Sequence, residues 1–151
     1  MDDRSLGAAE LISALSEGVH AFQKFGSEQY LSHYDSVRRF SLVASPPAVV
    51  PLVMVGVSFE LHERLEGGEP REALVHVSLQ VSSDGLWVVK GEVEADDPRP
   101  HDSASVPQLH PFDLPEVRTP DVDECVALIR DYTARLCAYT AVLDDLGVPR
   151  S

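Results

Sequence analysis

Apolar side chains occupy odd-numbered positions in three separate runs: Val53, Val55, Val57, Phe59 and Leu61; then Ala73, Val75, Val77, Leu79 and Val81; then Trp87, Val89 and Val93. A period of two puts each set on one face of a strand, so three strands share a buried odd face. Glu66-Gly67-Gly68-Glu69 and Ser83-Asp84-Gly85 are the turns between them, and the three strands read as an antiparallel meander. The odd face must be buried against another layer of the fold.

The helices for that layer lie at both ends of the chain. From Ser5 to Phe25 the residues Ala8, Leu11, Ile12, Leu15, Val19, Phe22 and Phe25 recur at helical steps, and Gly26 stands where a left-handed residue would end the helix. A second helix is predicted over about 28–38, capped by Ser27, and a short strand over Phe40–Val43, broken by Ser45-Pro46-Pro47. A long final helix is predicted over about 120–146. Thr119-Pro120 starts it, Val122, Cys125, Val126, Ile129, Tyr132, Thr133, Leu136, Tyr139, Thr140 and Leu143 form its stripe, and Gly147 ends it. The intervening segment 96–120 holds Pro98, Pro100, Pro107, Pro111, Pro115 and Pro120, and reads as a long crossing loop. The expectation is one α+β domain over 1–151: a three- to four-stranded antiparallel meander with two N-terminal helices and one long C-terminal helix packed on one face.

Register follows from matching core positions across strands. A three-residue loop at Ser83-Asp84-Gly85 opposes Val81 to Trp87, Leu79 to Val89, Val77 to Gly91 and Val75 to Val93, whereas a two-residue loop would put Trp87 on the polar side. The same rule at the first hairpin pairs Leu61 with Val75 and Phe59 with Val77. On the even face this predicts a row Glu60, His76, Glu92, flanked by His62, Leu74, Glu94 on one side and by Ser58, Ser78, Lys90 on the other. An imidazole between two carboxylates should be held as the cation, its pKa raised. As an open sheet face, these polar residues Glu60, His62, His76, Lys90 and Glu92 read as solvated cross-strand charge pairs.

At the other end of the even face Leu52, Met54, Leu86 and Val88 are apolar and point away from the odd-face core. Either the proline-rich loop and another helix of the same chain cover them, or they are the candidate partner-binding residues, for a partner or a second copy. The formal charge of −13, from 25 acidic and 12 basic residues, disfavours nucleic acid and anionic membranes and suits a basic protein partner. The acidic start MDDRSLGAAE lacks a secretory pattern, and the longest apolar run, AVVPLVMVGV, is too short to span a bilayer. A cytoplasmic location is expected, with a homodimer as one further arrangement.

Cys125 and Cys137 lie twelve residues apart in one predicted helix, roughly 18 Å at ~1.5 Å per residue, and read as reduced, unpaired thiols. The chain holds no nucleophile elbow, phosphate loop, His-Glu-x-x-His or Cys-x-x-Cys. Glu17-x-x-His20 lacks the second pair a di-iron site needs. No catalytic residue, cofactor or metal is expected. The function read from these features is a small acidic interaction module: an adaptor, secretion-type chaperone or immunity-like protein. Two alternatives stand beside it. One is a ligand-binding or hydrolytic domain with a pocket between helices and sheet and His101 and His110 on its lid; the other is a metal-responsive sensor using Glu60, His62, His76 and Glu92.

Overall fold

The computed structural model describes residues 3–43, 52–61, 71–96 and 108–150. A helix α1 (Asp3–Ser32) is followed by five strands, β1 (Val37–Val43), β2 (Leu52–Leu61), β3 (Arg71–Val81), β4 (Trp87–Asp96) and β5 (Gln108–Thr119). Helix α2 (Val122–Ala138) and the short α3 (Val142–Asp145) complete the chain. The strands form a single sheet in the order β1-β2-β3-β4-β5, every neighbouring pair antiparallel. Both long helices pack on its odd face. The core there is formed by Val57, Phe59, Val75, Val89 and Val93 from the sheet, Phe22 and Phe25 from α1, and Ile129 and Leu136 from α2.

The α+β class and the central meander follow the periodicity, and the β3–β4 register agrees at every pair: Val81 opposes Trp87, Leu79 Val89, Val77 Gly91 and Val75 Val93. Gly85 takes the left-handed conformation at φ +82°. The tight turn leaves no freedom in this register. At the first hairpin the faces are right but the pairing is not: Phe59 opposes Ala73 and Leu61 opposes Arg71. Odd-to-odd matching fixes which face a strand shows, and sliding by an even number of residues leaves it satisfied. The longer connection there imposes no register of its own. Gly56 falls opposite His76, and a Cβ at 56 would lie 2.0 Å from the Val75 carbonyl oxygen. Only glycine admits so close an approach.

Three element assignments are corrected, the last being the length of the final helix. The N-terminal third is one helix rather than two, running through Gly26 to Ser32. Gly26 is not a cap but a contact point: a Cβ there would stand 2.7 Å from Phe40 Cδ2 and 3.0 Å from Val57 Cγ1. The buried side of α1 is correspondingly rotated from the predicted stripe. Gly7, Ala14, Gly18, Phe22, Phe25, Gly26, Gln29 and His33 are buried, whereas Ile12 and Val19 are exposed. Small residues let the helix axis approach its neighbours, and that proximity outweighs the larger side chains on the flank.

The second correction is β5, which takes up residues 108–119 of the expected loop and raises the strand count to five. Pro111 and Pro115 lie where the β4–β5 ladder shifts register, between the pairs Ala95–Leu109 and Val93–Phe112 and between Gly91–Leu114 and Val89–Val117. An edge strand with bulges tolerates residues that lack an amide donor. Tyr132 of α2 donates its hydroxyl to the Pro115 carbonyl at 2.5 Å, tying this irregular edge to the helix layer. The final helix buries Cys125, Val126, Ile129, Tyr132, Thr133 and Leu136 as its stripe predicts, but it ends at Ala138. Its N-cap is Asp121, which accepts from the Asp123 amide. Gly147, at φ +76°, follows α3. The Ser45-Pro46-Pro47 break, the Glu66–Glu69 turn, His62, His101 and Asp102 lie outside the described residues.

Candidate functional site

The second face of the sheet carries the chemistry, and at His76 and Glu92 it is closed to solvent. His76 and Glu92, paired across β3 and β4, are 3% and 5% exposed. Their placement follows from strand geometry: the i, i+2 spacing puts Glu92 and Glu94 on one face of β4, and the tight β3–β4 turn sets His76 opposite the first of them. His76 Nε2 lies 3.4 Å from Glu92 Oε1 and 4.0 Å from Glu94 Oε2. Lys90 Nζ lies 3.3 Å from the other Glu92 oxygen, Oε2. One donor atom from each of His76, Glu92 and Glu94 lies within 4.8 Å of the others.

Among the described residues neither ring nitrogen of His76 has a satisfied hydrogen bond, and its nearest polar neighbour is Glu92 Oε1 at 3.4 Å. A buried polar group left in that state costs about 1–3 kcal/mol. The electrostatics reverse the expected shift. Burial lowers the His76 pKa, and this outweighs attraction to Glu92, while Lys90 pushes the same way as burial. Burial acts to raise Glu92, yet hydrogen bonding with the Glu94 carboxyl and with Lys90, together with the charges of His76 and Lys90, holds it below the ordinary carboxylate value. Lys90 is raised by its hydrogen bond and attraction to Glu92. The cluster at neutral pH is therefore a neutral imidazole beside a carboxylate held by an ammonium.

The predicted row is broken at β2. Glu60 opposes Glu72 rather than His76 and pairs with Arg38 at 3.3 Å and Arg39 at 2.9 Å from β1. Glu94 takes the place beside the imidazole that Glu60 was expected to fill, and Ser58 opposes Leu74 instead of Ser78. The apolar four lie at the other end of this face, with Val88 buried and Leu52, Met54 and Leu86 half-buried. Gln80 stands between Leu52 and Val88 in their row.

Several groups carried no signal in the sequence. His33, fully buried at the end of α1, brings Nε2 to 2.9 Å from Asp144 Oδ1, and Asp144 also accepts from Arg150. Asp144 is held down to about 2 by Arg150 and His33. Residues 33 and 144 are too distant in sequence for any local pattern to link them. Glu17 accepts from Arg130 of α2 at 2.9 Å, which ties the two long helices together. Cys125 and Cys137 are unpaired, and burial pushes both thiols up to about 11, so neither is a ready nucleophile at neutral pH.

The hollows lined by described residues include two near these groups. One, of about 220 Å³, lies beside the histidine cluster and is lined by Glu72, Leu74, Glu94 and Asp96. The other, of about 280 Å³, lies between α1 and α2, floored by Ala14, Gly18, Ala21, Thr133 and Ala134. Neither of these two lies between a helix and the sheet. No helix among the described residues is long and apolar enough to cross a membrane. Comparison of the chain with protein-family models, with curated proteins and with solved structures gives no match.

Proposed function

We propose that this chain is a cytoplasmic protein-interaction module of the adaptor, secretion-chaperone or immunity type, without catalytic activity of its own, and that its partner is a basic protein. The supporting observation is how charge is distributed. Arg38, Arg39, Lys90, Arg118, Arg130, Arg135 and Arg150 each lie within 3.7 Å of a carboxylate of the same chain. With these cations engaged internally and a formal charge of −13, the field that reaches an approaching molecule is that of the surplus carboxylates. Such a field accelerates encounter with a basic surface and rejects acidic competitors.

Apolar contact area is available in two places. The outer side of α1 exposes Ile12 and Val19, and the second sheet face offers Leu52, Met54 and Leu86 in half-buried form. The test is affinity capture from the native host at low and high salt, followed by calorimetry on the purified pair. Association that weakens steeply with salt is the expected result. Ile12→Lys/Val19→Lys and Leu52→Lys/Leu86→Lys are compared, and one pair should abolish binding while the other leaves it intact. Salt-indifferent association, or a monomer stabilised only by small molecules, would overturn the reading.

A further inference from the structure

We propose that His76, Glu92 and Glu94 form a binding site for one divalent first-row transition-metal ion. This does not depend on the interaction reading. The distances carry it first. A tetrahedral ion bound about 2.0–2.2 Å from nitrogen and oxygen ligands holds them roughly 3.4 Å apart. The His76 Nε2 to Glu92 Oε1 separation is 3.4 Å. Glu94 Oε2, at 4.0 Å from the same nitrogen, sits on a side chain that is 29% exposed and has three rotatable bonds with which to close the remaining gap.

The histidine supplies the second, independent observation. Its side chain is 4% exposed, Nε2 lies nearest the two carboxylates, and among the described residues no hydrogen bond to either ring nitrogen holds it there. A buried imidazole is ordinarily satisfied by a partner, and an ion between Nε2 and the carboxylates would be that partner. The donor set selects among ions. Imidazole with carboxylates suits zinc, cobalt, nickel, iron or manganese, whereas calcium and magnesium prefer oxygen alone.

Lys90 has a definite place in this arrangement. By holding Glu92 Oε2 it leaves Oε1 turned to the imidazole, the orienting role that outer groups play around metal ligands. From β2 the residue opposite His76 is Gly56, which places no side chain directly across from the imidazole. Across β4, Asp113 of β5 opposes Glu92 and adds negative charge at the exposed rim. Three protein ligands leave at least one position open to water or an exogenous donor.

The experiment uses the full chain stripped with a chelator, titrated with zinc by calorimetry and with cobalt by visible absorption at neutral pH. The expected result is one site per chain with a Kd on the order of micromolar or tighter, and cobalt ligand-field bands. His76→Gln and Glu94→Gln should each weaken binding at least about tenfold, and Glu60→Gln should leave it unchanged. Should His76→Gln fail to fold, Glu94→Gln, at a partly exposed side chain, decides the matter. Absence of binding at ~100 µM zinc would overturn the proposal. So would binding indifferent to Glu94→Gln in a folded chain, which would place the ion on other histidines.

Discussion

At the scale of single residues, the glycines show how tertiary contact reverses a local expectation. Gly26 sits inside a helix, where glycine is about 1 kcal/mol worse than alanine, so propensity alone predicts that Gly26→Ala stabilises the protein. The packing predicts the opposite. The new Cβ would meet Phe40 Cδ2 at 2.7 Å, and the Phe40 ring is itself held between Tyr30 and Phe59, with centroids 5.9 and 6.2 Å away. Overpacking of this kind costs about 1–3 kcal/mol. Urea denaturation of Gly26→Ala should show a lowered midpoint, and a raised one would mean that α1 does not lie against β1 as described. The sequence placed a glycine at 26 correctly as a special position but attributed it to the wrong cause. Both a cap and a close contact favour glycine, and only the neighbour distinguishes them.

At the scale of elements, β5 is the instructive case. Six prolines between 98 and 120 argue against a ladder, yet two of those prolines lie in a strand, at its bulges. What holds such an edge is partly outside it. The Tyr132 hydroxyl donates to the Pro115 carbonyl, and Phe112 stacks on Tyr139 with centroids 4.7 Å apart. Tyr132→Phe removes one hydrogen bond without opening a cavity and should cost about 1 kcal/mol. The loss should be local. Amide hydrogen exchange is expected to speed up in β5 with little change in β2 and β3, and uniform acceleration across the sheet would refute the anchoring role.

At the scale of the whole molecule, two displaced titrations predict the stability profile of the metal-free protein. His76 has its pKa lowered from 6.5 by burial, so its neutral form is the one the fold favours. Above 6.5 both folded and unfolded chains carry it neutral; below, the unfolded chain takes up the proton first, and stability falls with pH. Asp144 contributes in the same sense at lower pH: held down to about 2 from 3.8, its stabilisation is present above 3.8 and is lost as pH falls toward 2. Denaturation midpoints measured from pH 8 to pH 3 in the presence of chelator should therefore decline in two stages. The first should begin near 6.5 and disappear in His76→Gln. A wild-type midpoint unchanged between pH 6.5 and 5 would show that His76 is not buried in the neutral form.

The sequence by itself determined the α+β class, the odd core face, the β3–β4 register and the buried stripe of α2. Period-two alternation, a tight glycine turn and helical spacing are local signals that admit one solution each. It also put His76 opposite Glu92, since that pair belongs to the tightly turned hairpin. Only the tertiary structure decided that Glu94 rather than Glu60 approaches the imidazole, because parity is blind to slides by even steps and the β2–β3 connection is too long to forbid them. Only it revealed that the second sheet face buries His76, turning the expected rise in its pKa into a fall. Burial is a property of everything packed around a residue, and no spacing along the chain encodes it.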